Sequence, residues 1–221
     1  TWAFECRHFL DGLIKKFKAR FCMHGDRQID GINYFETYAP VVQWSTIRLV
    51  LTLILTKSWI TKQVDYTNAF AQAALKEEVY IESPKGFQRG DGKNVLKLNN
   101  SLYGLKQAAM AFWLLLLSVM KKMDYQKSDC DPCLYFKWKD GSKLNIWLSW
   151  VDDLLNLGIE ADVNEACEKM KTHFDCDDLG KLEEYVGCKI DYNKEEGSLR
   201  FTQPVILQSF NDEFDLPDKA P

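Results

Sequence analysis

At 221 residues, 46% of them hydrophobic and 13% aromatic, the chain can bury a sizeable core as one domain or two closely packed subdomains. The net charge of −4 argues against a strongly basic protein that grips nucleic acid tightly, since phosphate contacts usually leave a cationic footprint. No apolar run reaches about 18 residues, which excludes a bilayer-spanning helix, and no charged segment followed by an apolar one opens the chain as a secretory signal would.

Trp2 to Phe9 alternates imperfectly between apolar and polar side chains, and Asp11-Gly12 is a hairpin signal. A second strand is expected from Leu13 to about Met23, carrying the basic cluster Lys15, Lys16, Lys18 and Arg20. Gly25 to Pro40 is turn-rich, with Tyr34, Phe35 and Tyr38, and reads as an ordered loop. Ser45 or Thr46 can cap a helix running through Lys57, apolar at Ile47, Val50, Leu51 and Ile54. Trp59 to Asp65 reads as a strand and Asn68 to Ala73 as a short helical turn. Val79 to Glu82 and Val95 to Leu98 are short strands around a loop from Pro84 to Gly92. Leu105 to Lys122 reads as a long helix. Leu134 to Trp138 and Leu144 to Trp150 are strands joined at Asp140-Gly141. Val151-Asp152-Asp153 then forms a turn, and Leu154 to Gly158 returns as a strand. Ala161 to Phe174 is an amphipathic helix. Tyr185 to Tyr192 and Ser198 to Gln203 form a last hairpin around Glu196-Gly197, and Pro204 opens a terminal helix to about Phe214. Interleaved helices and hairpins make this an α+β chain with a largely antiparallel sheet.

Seven scattered cysteines, an odd number at irregular spacing, read as reduced thiols of an intracellular protein that is not secreted. Cys130-Asp131-Pro132-Cys133 has redox-motif spacing, but no second such pair or histidine pair accompanies it to complete a zinc site. His8, His24 and His173 show no ligand spacing.

The chemistry concentrates on acids. Asp152 and Asp153 are adjacent at a tight turn between apolar strands, and neighbouring carboxylates repel unless a cation neutralises them. Either a metal site or a plain surface turn fits that pattern. Asp65, at the end of the strand Ile60 to Val64, can meet the pair across neighbouring strands. Three carboxylates can hold two Mg²⁺ ions about 3.5–4 Å apart, the arrangement that clamps both oxygens in phosphoryl transfer.

Around these acids lie blocks in a definite order. Gln63-Val64-Asp65-Tyr66-Thr67-Asn68-Ala69-Phe70 and Glu77-Glu78-Val79-Tyr80-Ile81-Glu82-Ser83-Pro84-Lys85-Gly86-Phe87 come first. Ser101-Leu102-Tyr103-Gly104-Leu105-Lys106-Gln107-Ala108 and Trp150-Val151-Asp152-Asp153 follow. Upstream stand Lys18-Ala19-Arg20 and Tyr34-Phe35-Glu36-Thr37-Tyr38-Ala39-Pro40-Val41-Val42. Asp129 to Tyr135 and Leu182 to Gly187 fall into the same order. Over nearly the whole chain this resembles the reverse transcriptase of copia-type retrotransposons. The resemblance implies a palm and fingers, with a mostly antiparallel palm sheet packed on helices. Fingers are expected at about 1–58 and 84–106, palm at about 59–83 and 107–203, and the start of a thumb, otherwise largely missing, at 204–221.

It further implies an RNA-directed DNA polymerase with two Mg²⁺ ions, or Mn²⁺ in their place, on Asp65, Asp152 and Asp153. Phe70 matches the aromatic gate that crowds a ribose 2′-OH, although a ring there also suits core packing. Gln107 matches a residue lying against the incoming nucleotide, with solvation at a helix start as its rival role. Lys18 and Arg20 share a strand face and can point at a triphosphate, or form an ordinary solvated surface. The implied partners are a primed RNA or DNA template, deoxynucleoside triphosphates, and the integrase and RNase H segments of a parent polyprotein, with no membrane. The implied location is a cytoplasmic virus-like particle with a nuclear phase.

Three positions depart from the family. Trp150 replaces Tyr, Ala109-Met110 replaces Pro-Arg and so removes a cation, and Phe21-Cys22-Met23-His24-Gly25 lacks the usual basic residue before glycine. With Thr1 in place of an initiator Met and a short thumb, these departures also fit a truncated, inactive remnant that only folds or binds nucleic acid. A metal-dependent nuclease using the same acids is a further alternative, distinguished by shortened rather than extended strands.

Overall fold

The computed structural model describes residues 1–8, 13–84, 86–87, 95–193 and 195–214. The expected Asp11-Gly12 turn, most of the loop from Pro84 to Gly92 (Lys85 included) and the stretch 215–221 lie outside these residues. Two compact units make up the chain: residues 1–40 with 68–119, and residues 41–67 with 120–221. The helix over residues 44–57 packs with the large sheet of the second unit. Among the described residues, no helix is long and apolar enough to cross a membrane.

In the first unit, β1 (Trp2–His8) and β2 (Ile14–Phe21) form an antiparallel ribbon. Its register pairs Trp2 with Phe21 and Glu5 with Lys18, so one face is aromatic and the other charged. A second small ribbon joins β4 (Tyr80–Glu82) to β5 (Val95–Lys97), reinforced by an ion pair between Lys97 and Glu78. Val79, Leu105 and Ala108 form a small core, against which Met23, Phe70, Leu75 and Leu98 pack. Ala108 begins α2 (Ala108–Lys122), three residues later than the apolar periodicity suggests.

Two loops of this unit cross with no room to spare. Met23 donates its N–H to the Tyr103 carbonyl at 2.7 Å. A Cβ on Gly25 would stand 2.2 Å from the Gly104 oxygen, and one on Gly104 would stand 2.2 Å from the Met23 oxygen. Gly104 also has φ +89°, a conformation that glycine alone adopts at no cost.

The second unit is built on a six-stranded sheet in the order β10-β3-β9-β8-β7-β6, antiparallel throughout. Its strands are β3 (Ile60–Tyr66), β6 (Gln126–Lys127), β7 (Leu134–Lys139), β8 (Lys143–Trp150), β9 (Asp153–Gly158) and β10 (Cys176–Gly180). The Asp140-Gly141 turn forms as expected, both residues having positive φ. β10 and the short β6 have no counterpart in the sequence-based reading. The acidic run of β10 has low strand propensity, and its pairing with β3 is held by Lys62, whose Nζ sits 2.6 Å from Asp178 Oδ2.

α1 (Trp44–Lys57) lays Ile47, Val50, Leu51 and Ile54 on one sheet face, against Ile146, Leu148, Leu155 and Leu157. Neither Ser45 nor Thr46 caps it. The helix begins after Gln43, which makes no side-chain capping bond, and Asp131 takes that role from another part of the chain. On the other face α3 (Glu160–Lys171) buries Val163, Ala166, Cys167 and Met170, and the Tyr66 ring meets Phe174 edge-on at 4.9 Å. Val186 and Gly187, both at positive φ, break the last expected hairpin into a three-stranded meander. Its strands are β11 (Glu184–Tyr185), β12 (Cys188–Asn193) and β13 (Ser198–Thr202), and α4 (Pro204–Phe214) follows.

Gly104→Ala should therefore cost at least about 2 kcal/mol, combining backbone strain with the clash. Thermal unfolding should show the midpoint lowered by roughly 4–8 °C; an unchanged midpoint would mean that the two loops do not cross so closely.

Candidate active site

The sheet of the second unit decides where the acids go. Side chains alternate across a strand, and directly paired residues share a face. β3 and β9 pair in a register that sets Asp65 opposite Asp153. β8 and β9 pair Trp150 with Asp153, leaving Val151 and Asp152 as a two-residue turn. All three predicted acids are thus gathered at one end of the sheet. A fourth acid joins the row, since β10 sets Asp177 opposite Asp65 on its other side. Sequence reading missed Asp177 together with its strand. It also missed Glu184, whose carbonyl accepts the Gln63 side-chain amide at 2.5 Å and whose charge acts on Asp153.

Asp65 is exposed, while Asp152 and Asp153 are half-buried. Burial pushes the Asp153 carboxyl up to about 6, and the neighbouring charges of Asp152, Asp65 and Glu184 push it the same way. Every charge acting on Asp153 in this way is an acid. Like charges directly opposed across strands destabilise a sheet, so the register concentrates an electrostatic cost at this end. The turn adds a second cost: Val151, a β-branched residue, has φ +53°, where such side chains are strained.

Among the described residues, no three acid, histidine or cysteine side chains converge tightly enough to hold a metal ion as they stand. The donor set nonetheless suits hard divalent cations, which take carboxylate oxygens, and a cation would offset the repulsion that lifts Asp153.

The four other candidates lie in the first unit. Phe70 follows Asn68, a residue at φ +53°, in a short 3-10 turn (Ala69–Gln72). Its half-buried ring lies 4.7 Å from that of Tyr103 and 6.3 Å from that of Phe112. Gln107 is 4% exposed rather than solvated at a helix start. Its Nε2 donates to the Asn33 carbonyl at 2.8 Å, and its Oε1 accepts from Gln28 Nε2 at 2.9 Å. Gln28 also accepts the Lys106 N–H at 2.8 Å. Gln107 is therefore a bridge in a polar network whose other members, Gln28 and Asn33, carried no signal in the sequence. Lys18 and Arg20 share the charged face of the ribbon, as their spacing predicts. Arg20 Nη1 donates to Glu5 Oε2 at 3.1 Å, and its guanidinium sits 5.6 Å from the Tyr103 ring centre, so it is held in place on two sides.

The cysteines follow the reduced-thiol reading. Cys133 is buried and Cys130 exposed, and burial pushes the Cys133 thiol up to about 12, far from the depressed value of a reactive pair.

Over residues 1–221 the chain matches the family described as reverse transcriptase (RNA-dependent DNA polymerase). It is 33% identical over 222 residues to the retrovirus-related Pol polyprotein from transposon TNT 1-94 of Nicotiana tabacum, covering 100% of this chain and 17% of the relative. It is 33% identical over 188 residues to the corresponding polyprotein from transposon RE1 of Arabidopsis thaliana, covering 84% of this chain and 13% of the relative. With the Transposon Ty1-ER2 Gag-Pol polyprotein of Saccharomyces cerevisiae it shares 29% identity over 153 residues, 67% of this chain and 8% of the relative. The chain therefore spans less than a fifth of the length of these curated relatives. No solved structure matches it.

The raised Asp153 pKa has a definite sign. An acid whose folded value exceeds its unfolded one costs nothing below about pH 4, and the cost grows until the pH passes about 6. In metal-free buffer, Asp153→Asn should therefore leave stability unchanged near pH 4. At pH 7.5 it should raise stability by about 1 kcal/mol, after discounting the shift for solvent screening. Denaturant titration at both values checks this, and equal stability at pH 7.5 would contradict the raised Asp153 pKa.

Proposed function

The chain belongs to the reverse transcriptase (RNA-dependent DNA polymerase) family, and on that premise we propose that its second unit carries a nucleotidyl-transfer site formed by Asp65, Asp152 and Asp153. The observation that carries this reading is the β3–β9 register, which opposes Asp65 and Asp153 beside the Asp152 turn; burial lifts the Asp153 carboxyl there, and the neighbouring acids add to the rise. These three residues would hold two Mg²⁺ ions, or Mn²⁺ in their place. Such ions, when bound, stabilise the charge that develops on the attacking and leaving oxygens.

The substrates are a primed RNA or DNA template and deoxynucleoside triphosphates. The primer 3′-hydroxyl attacks the α-phosphate and pyrophosphate leaves. On this reading the fingers lie at about 1–58 and 84–106, the palm at about 59–83 and 107–203, and α4 starts a thumb. Lys18 and Arg20 meet the triphosphate, with Arg20 already oriented by Glu5 and Tyr103. Phe70 gates the ribose, its ring braced by Tyr103 and Phe112, and Gln107 braces the nucleotide-side loop through Gln28 and Asn33. In a parent polyprotein, integrase and RNase H segments accompany this domain, and synthesis runs in a cytoplasmic particle before a nuclear phase.

A second reading, a folded but inactive remnant, draws support from Trp150 and from Ala109-Met110, where the related pattern has tyrosine and an arginine. Primer extension separates the two. With Mg²⁺, deoxynucleotides and an RNA template, the active reading predicts extension that Asp152→Asn lowers by at least about 1000-fold, as expected for loss of a group acting in the transition state. Folded wild-type protein that extends no primer would establish the remnant.

A further inference from the structure

Asp131 is a carboxylate that the polymerase reading leaves without a role, yet it is only 2% exposed. A buried charge persists where its lone pairs are filled. Oδ2 accepts the Gln43 N–H at 3.0 Å and the Thr46 hydroxyl at 2.6 Å, capping α1 at the end where negative charge is favoured. Capping does not account for the other oxygen. Oδ1 accepts the Cys133 N–H at 2.9 Å, and Cys133 directly precedes β7, beside the strand that leads to the acids.

The hydrogen bonds lead onward from there. β7 begins at Leu134, paired with Leu148 of β8. Beyond that pair the ladder is continued by the Cys133 carbonyl, which accepts the Ser149 N–H at 2.9 Å. Ser149 precedes Trp150, whose partner across the turn is Asp153. One residue earlier, the Leu148 carbonyl accepts the hydroxyl of Tyr185, itself 2% exposed, at 3.3 Å. The last residues of β8 before the acidic turn are thus held by the Cys133 ladder bond, itself anchored at Asp131, and separately by Tyr185.

We propose that Asp131 is a positioning residue: through Cys133 and Ser149 it fixes the end of β8, and so where the turn presents Asp152 and Asp153, while through Gln43 and Thr46 it locks that end to α1. The catalytic consequence rests on the polymerase reading; the effect on the hairpin does not. A displacement of about 1 Å at reacting groups can cost about 100-fold in rate, and Asp131 acts at that range without touching substrate.

The test uses the whole 221-residue chain, with Asp131→Ala, Asp131→Asn and Thr46→Val. Amide hydrogen exchange is read at residues 44–50 and at 146–153, beside single-turnover primer extension on an RNA template. Asp131→Ala should speed exchange in both segments by about tenfold or more and slow extension by about 10- to 100-fold, with primer–template affinity little changed. Asp131→Asn keeps an acceptor oxygen and should recover part of both effects. Thr46→Val should speed exchange only at 44–50 and leave extension within about threefold. Faster exchange confined to 44–50 in both Asp131 variants, with extension unchanged, would reduce Asp131 to a helix cap and overturn the proposal. Should wild-type protein extend no primer, the polymerase reading fails and the exchange pattern alone decides the positioning claim. Should Asp131→Ala not fold, Asp131→Asn decides between positioning residue and helix cap by exchange in the same two segments.

Discussion

Like charges held in register across β3 and β9 are the constraint on which the rest of this site depends. Asp65 faces Asp153 because the two strands pair antiparallel with that offset and no other. A one-residue slip would turn Asp65 to the opposite face and would also move Val64 out of its buried place among the side chains facing α3. Apolar packing on both faces thus fixes the register, and the register in turn forces the carboxylates together. Burial raises the Asp153 pKa and the repulsion of the neighbouring acids adds to it; the strained turn at Val151 is a further cost. A fold that holds both costs in one place has a rigid sheet to offset them.

Part of this was legible in the sequence and part was not, for physical reasons. The turn at Asp140-Gly141 and the strand–acid–acid–strand pattern around Asp152 could be read because they depend on local chemistry. Asp65 could be read because it ends an apolar strand within a motif of definite order. β10 was invisible: Cys176-Asp177-Asp178-Leu179-Gly180 lacks strand propensity, and only its pairing with β3 makes it a strand. With it went Asp177. The cap of α1 was misassigned to Ser45 or Thr46 because the acceptor, Asp131, lies 85 residues from Thr46 in the chain. The meander was read as one hairpin because the break at Val186-Gly187 needs two positive φ values where only glycine announces one. The rival role of Gln107, solvation at a helix start, fails because its partners, Gln28 and Asn33, are brought to it only by the fold.

The two units are ordered in different physical terms. In the second unit the sheet supplies rigidity, and acids accumulate at its end. The first unit adds interlocking to its packing: the Gly25 and Gly104 loops cross within van der Waals distance, and the Gln28–Gln107–Asn33 network ties the start of α2 to the loop over residues 25–40. Arg20, held between Glu5 and Tyr103, belongs to the same scheme of preset side chains. The overall charge of −4 is compatible with both, since an acidic sheet end and a local basic cluster can coexist without a basic chain.

On the proposed reading, the crowded carboxylates at the β3–β9 end hold divalent cations. Calorimetric titration of the metal-free chain with Mg²⁺ and with Mn²⁺ at pH 7.5 tests it most directly. Saturable binding that Asp65→Asn weakens by about tenfold or more, and that fades as the pH falls below about 6 where Asp153 takes up its proton, is the predicted result. No saturable binding at pH 7.5, or binding that Asp65→Asn leaves unchanged, would contradict it.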